Sequence, residues 1–147
     1  MKKTIFANWG HSEQGKSDTV KRIAKEILAN YPNATSSPTT FSYDGDIQVI
    51  ITIGNLTIGI ESQGDPNSRL FESLKMFSST NCDIIICSTR TRGETVKAVN
   101  ALHTSFGYDI VWVTNHRSYE KSLQSSLNEI SAKQIFNLVQ QLMNGTI

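Results

Sequence analysis

A chain of 147 residues with 14 basic and 13 acidic side chains is long enough for one domain with a sizeable core. With a net charge of +1 and no block of like charges, nothing predicts a broad electrostatic footprint for nucleic acid or acidic lipid. Cys82 and Cys87, close together on one predicted strand, exclude a disulfide framework and lack the paired spacing of a zinc site, so they read as buried thiols of a reducing compartment. No run reaches the roughly 18 apolar residues of a membrane span, and too few apolar residues follow Met1-Lys2-Lys3 for a signal peptide. The expected location is therefore cytoplasmic, without a membrane partner.

In chain order, residues 3–9 (KTIFANW) form a β-branched and aromatic run that predicts a buried strand. Gly10-His11-Ser12-Glu13-Gln14-Gly15-Lys16-Ser17 follows and matches G-x-x-x-x-G-K-S at every fixed position. Val20, Ile23, Ile27 and Leu28 then recur at helical spacing. The spacing has a chemical reason. Glycines let the main chain wrap a phosphate, and the amides and helix N-terminus face its charge. Lys16 reaches the β- and γ-phosphates, and Ser17 offers a hydroxyl to a magnesium ion bridging them. Strand, glycine-bounded loop and helix together resemble the P-loop NTPases. That resemblance implies a three-layer α/β fold and ATP with Mg2+ as cofactors. It also implies a nucleoside-triphosphate site at Gly10, His11, Ser12, Glu13, Gln14, Gly15, Lys16, Ser17 and Asp18.

Residues 30–46 are rich in Ser, Thr, Pro and Asn without periodicity, and predict a long exposed loop. Strand-like runs at 47–53 and 56–60, separated by Gly54-Asn55, predict an antiparallel hairpin. Asp65-Pro66 reads as the cap and first turn of a helix with Leu70, Leu74 and Phe77 as its stripe. The apolar run at 83–87 predicts a strand covered on both faces. A helix over 94–104 turns Val96, Val99 and Leu102 inward, and a strand covers 109–114. The last helix, over 121–143, carries Leu123, Leu127, Ile130, Leu138, Val139 and Leu142. This order predicts one domain over 1–147: a mostly parallel sheet with one antiparallel hairpin strand and helices on both faces.

In such sheets ligands bind outside the carboxyl ends of the strands, which sorts the remaining candidates. Glu61 directly follows the run at 56–60 and is a candidate to hold magnesium with Ser17 or to position water. Glu61-Ser62-Gln63-Gly64 partly resembles the Asp-x-x-Gly switch of Ras-like GTPases, with Glu for Asp. That family's guanine-reading Asn-Lys-x-Asp has no counterpart, because the corresponding place reads Asn115-His116-Arg117-Ser118 without the acid. ATP is the default base choice and GTP stays open. Asp83 lies at the start of its strand, about 13 Å from the ligand-bearing edge, and reads as a surface residue. Arg90 and Arg92 follow the strand at that edge, where arginines stabilise or grip phosphoryl groups, a placement similar to that in nucleotide kinases. Arg90 is the nearer and preferred candidate. Trp9 reads as a packing residue, His11 as solvent-facing and Gln63 as a solvated loop side chain. Asp44 and Asp46 read as turn residues or a general base.

Three functions share these residues. One is Mg-dependent hydrolysis of ATP, in the manner of a switch, with Lys16, Glu61 and Arg90 catalytic. Another is phosphoryl transfer to a small-molecule or nucleotide acceptor. The third is non-catalytic nucleotide binding that controls a protein partner. Nucleic acid is not indicated as a partner.

Overall fold

Apolar strands and amphipathic helices alternate to build one six-stranded mixed sheet in this computed structural model, which describes residues 1–11 and 15–147. β1 (Thr4–Trp9) is buried from Thr4 through Asn8, and α1 (Lys16–Asn30) follows it in the chain. β2 (Thr35–Ser37), β3 (Gln48–Ile53) and β4 (Leu56–Glu61) follow, then α2 (Leu70–Ser79) and β5 (Ile84–Thr89). α3 (Glu94–Phe106), β6 (Asp109–Thr114), a 3-10 turn at Lys121–Leu123 and α4 (Gln124–Met143) complete the chain.

The strand order is β2-β3-β4-β5-β1-β6. β4, β5, β1 and β6 pair in parallel, whereas β3 is antiparallel to both β2 and β4 and so runs alone against the other five. Gly54 makes the β3–β4 turn possible, since its φ of 59° is a left-handed value that costs a residue with a Cβ about 1–2 kcal/mol. α1 and α4 cover one face of the sheet over Phe6, Ile58, Ile60, Ile84 and Ile86. α2 and α3 cover the other over Ile5, Ala7, Ile85 and Cys87. Burying each of these isoleucine and phenylalanine side chains contributes about 1.5–3 kcal/mol, so helix–sheet–helix packing is the main source of stability.

Four local expectations give way. Residues 30–46 are not all loop: Thr35–Ser37 adds an edge strand, with Ser36 opposite Ile51 of β3. Asp65-Pro66 does not begin a helix. Asn67 takes a φ of 65°, which breaks right-handed continuation, and α2 starts at Leu70. β5 extends through Ser88 and Thr89 and begins after Cys82, so the two thiols do not share a strand. The last helix begins with a 3-10 turn, and Leu123 and Ile130 of its apolar set are exposed.

Candidate functional site

A polar cavity of about 460 Å³ opens at the carboxyl ends of β4 and β5, beside the N-terminus of α1. Gly15, Lys16 and Ser17 line it on one side, Ser62 through Ser68 on another, and Asp46 and Ser88 complete the lining. The sequence shapes the first side at Gly15, whose φ of 75° turns the chain into α1. Gly15 has no side chain to cap the helix, and among the described residues its cap position makes no side-chain hydrogen bond. Gly64 lies on the other side. A Cβ on it would lie 2.5 Å from both the Cβ and the carbonyl oxygen of Ser88, so only glycine lets the 62–68 segment lie on the end of β5.

Lys16 is buried, and its Nζ donates to the carbonyl oxygens of Gly10 at 2.5 Å and Thr89 at 2.8 Å. Burial, and next the Arg90 charge, lower its pKa from 10.5 to about 8, while Asp65 opposes them. Arg90 donates from Nε to Asp65 at 3.0 Å, bridging the end of β5 to the 62–68 segment. Asp65 therefore serves as an ion-pair partner beside the cavity and not as a helix cap. Around this corner, Asn8 Oδ1, Ser88 Oγ, Thr89 Oγ1 and Thr19 Oγ1 are buried without a hydrogen-bond partner among the described residues. Such groups cost free energy unless something satisfies them.

Glu61 is positioned differently from the sequence expectation. Side chains alternate along a strand: Ile58 and Ile60 face α1 and α4, while Gly59 lies under Phe77 of α2 and Glu61 follows on that same face. The Glu61 carboxylate is fully buried. It accepts from Arg69 Nε at 2.7 Å, Ser73 Oγ at 2.5 Å and the Gln63 amide at 3.0 Å. Its hydrogen bond raises the pKa of Arg69, and burial followed by the Glu61 charge pushes the neighbouring Cys87 thiol up to about 12. Neither group lines the cavity. The carboxylate that meets Ser17 is Asp46, whose Oδ1 accepts from Ser17 Oγ at 2.5 Å and from Ser62 Oγ at 2.7 Å.

Asp18 is drawn into a different network. Asn8 donates to Asn115, Asn115 to Asn128, and Asn128 to the Asp18 carboxylate at 2.9 Å, which Arg22 also reaches at 2.9 Å. Burial raises the Asp18 pKa, but the bonds from Asn128 and Arg22 outweigh it and leave the carboxyl below its ordinary value. Arg22 continues to Glu129 of α4 at 2.7 Å. This chain of amides and charges ties β1, the segment after β6, α4 and α1 together behind the loop. His116, in that segment, binds Gln134 and the Ser131 hydroxyl.

Of the sequence-derived residues, the structure brings Gly15, Lys16 and Ser17 to one cavity, with Gly10 held through Lys16 and Arg90 beside it. Glu61 and Asp18 are committed elsewhere. His11 is exposed, as expected, and Ser12, Glu13 and Gln14 lie outside the described residues. Trp9 is partly covered and partly exposed. With Trp112, Thr91 and Val96 it borders a shallow apolar cleft on the α3 face, the two indoles being 36% and 39% exposed. Ser62 and Ser88 were missed, although the alternation that buries Ile60 and Ile86 also predicts that the next residues of that parity reach the same edge. Gln63 is not simply solvated, because its Oε1 accepts the Arg69 amide.

Among the described residues, no group of three or more His, Cys, Asp or Glu is arranged to hold a metal ion, and no helix is long and apolar enough to cross a membrane. No family model, curated protein or solved structure matches the chain.

Proposed function

We propose that the protein binds a nucleoside triphosphate, ATP by default, with its phosphates in the cavity between α1 and the 62–68 segment, and hydrolyses the γ-phosphate with Mg2+. The observation that carries this reading is the buried Lys16 ammonium. It sits at the N-terminus of α1, where among the described residues two carbonyl oxygens accept from it, and its pKa is lowered to about 8. A buried ammonium gains from a polyanion, which offers stronger acceptors and moves its pKa back toward the ordinary value. The P-loop resemblance of residues 10–17 points the same way.

In hydrolysis, water adds to the γ-phosphorus and the bond to the bridging oxygen breaks. The nucleoside diphosphate and inorganic phosphate leave, and one proton is released. Lys16 moves from the Gly10 and Thr89 oxygens to the phosphates and neutralises charge that grows on them. The amides of the first turn of α1 hold the same oxygens, and Arg90, beside Lys16, adds a second cation. The Ser17 hydroxyl would help hold a magnesium ion, which would supply charge neutralisation at the phosphates.

One observation favours a second reading, binding without turnover. No acid is free to orient the attacking water from β4, because Arg69, Ser73 and Gln63 occupy Glu61. Incubation of the protein with γ-labelled ATP and Mg2+ decides between the readings. Release of labelled phosphate, lost in Lys16→Ala, supports hydrolysis. Label appearing only on an added acceptor supports a kinase, and binding without release supports a switch module. If Lys16→Ala binds and turns over like the parent protein, the site is misassigned.

A further inference from the structure

We infer that Asp46, not Glu61, is the protein carboxylate of a divalent-cation site at this pocket, acting with the hydroxyls of Ser17, Ser62 and Ser88. The inference rests on the nucleotide reading above and names the residues that would hold its metal.

Strand direction supplies the first argument. β3 is the one strand that runs against its neighbours, with Gln48 opposite Glu61. Its amino end therefore lies at the carboxyl end of β4, and Asp46, just before it, reaches the ligand-bearing edge that a residue preceding a parallel strand would miss. Side-chain alternation supplies the second, since Glu61 faces α2 while Ser62 and Ser88 lie on the α1 side with the cavity. The third is bonding. Asp46 Oδ1 accepts two hydroxyls at 2.5 and 2.7 Å, and both hydroxyl oxygens are themselves hard donors to a cation. Independently, Ser88 Oγ, in the cavity lining and 1% exposed, has no hydrogen-bond partner among the described residues. One carboxylate with three hydroxyls, the donor set found among the described residues, suits magnesium in particular. That ion keeps several waters and takes one or two carboxylates plus substrate phosphates in place of an all-protein cage.

A sign change makes the inference testable. Without metal, the Asp46 charge repels a triphosphate, and with metal it helps hold the complex. Titration calorimetry with a non-hydrolysable ATP analogue, in Mg2+ and in EDTA, reads both arms. The parent protein should bind at least about tenfold tighter in Mg2+ than in EDTA. Asp46→Asn keeps an oxygen for Ser17 and Ser62, so the fold survives. It should bind tighter than the parent in EDTA, yet gain less than about twofold from Mg2+. Glu61→Gln should keep the parent's Mg2+ gain. A full gain in Asp46→Asn, a loss of affinity in both conditions, or a gain lost only in Glu61→Gln overturns the inference while leaving nucleotide binding intact. No binding by the parent protein in either condition overturns the nucleotide reading itself, and the inference with it.

Discussion

Replacing Lys16 by methionine should stabilise the ligand-free protein while removing its nucleotide affinity. The ammonium is almost wholly buried, and its pKa falls from 10.5 to about 8 on folding. At about 1.36 kcal/mol per pKa unit, holding the charged form in the fold at pH 7 costs about 3 kcal/mol. The sign follows from a depressed cation: between pH 8 and 10.5 the unfolded chain binds more protons than the folded one. The penalty is therefore complete below pH 8, and stability climbs as pH rises through that window. Methionine fills similar volume without charge but gives up the bonds to the Gly10 and Thr89 oxygens. Thr89 keeps the Gly10 amide as a donor at 3.2 Å. After that loss, a net gain of about 1–2 kcal/mol should remain at pH 7. Urea unfolding of parent and variant at pH 7 and pH 10 measures it. The advantage of the variant should shrink by about 2 kcal/mol at the higher pH. A variant less stable than the parent at pH 7, or an advantage that does not change with pH, would refute the account of Lys16 as a strained charge kept for a ligand.

Two further outcomes probe the walls of the site. Gly64→Ala places a Cβ against the main chain of β5, so it should cost about 1–3 kcal/mol in thermal unfolding and weaken binding of the ATP analogue. An unchanged melting point would mean that the 62–68 segment does not lie on Ser88 as described. Glu61→Gln breaks the pair with Arg69, whose half-exposed guanidinium moderates the loss, and should lower stability by about 1 kcal/mol. A drop in turnover at unchanged stability would instead return Glu61 to the chemistry.

How much of this was legible in the chain depends on which force decides each feature. The order of strands and helices follows from apolar periodicity, and the β3–β4 hairpin from Gly54-Asn55, because both signals are local. The glycine-bounded loop is also local, and its Gly15, Lys16 and Ser17 meet at one cavity. β2 was not readable: Thr35-Ser36-Ser37 carries no apolar pattern and is a strand only because β3 offers it partners. The start of α2 depended on a positive φ at Asn67, which a capping pattern at Asp65-Pro66 does not reveal. Asp46, by contrast, could have been placed, because the predicted hairpin already reverses the strand that begins after it and carries its amino end to the carboxyl end of β4. The orientation of Glu61 could also have been read, by counting alternation from Ile58 and Ile60. Position at a strand end does not by itself give the face.

The chain contains only two tryptophans, and both border the cleft on the α3 face, Trp9 at the last position of β1 and Trp112 on the outermost strand. Ultraviolet emission excited at long wavelength thus comes wholly from one corner of the molecule, next to the residue where the glycine-bounded loop departs. Occupation of the proposed site would therefore be read against a built-in optical probe beside Gly10, free of background from the interior and needing no attached dye.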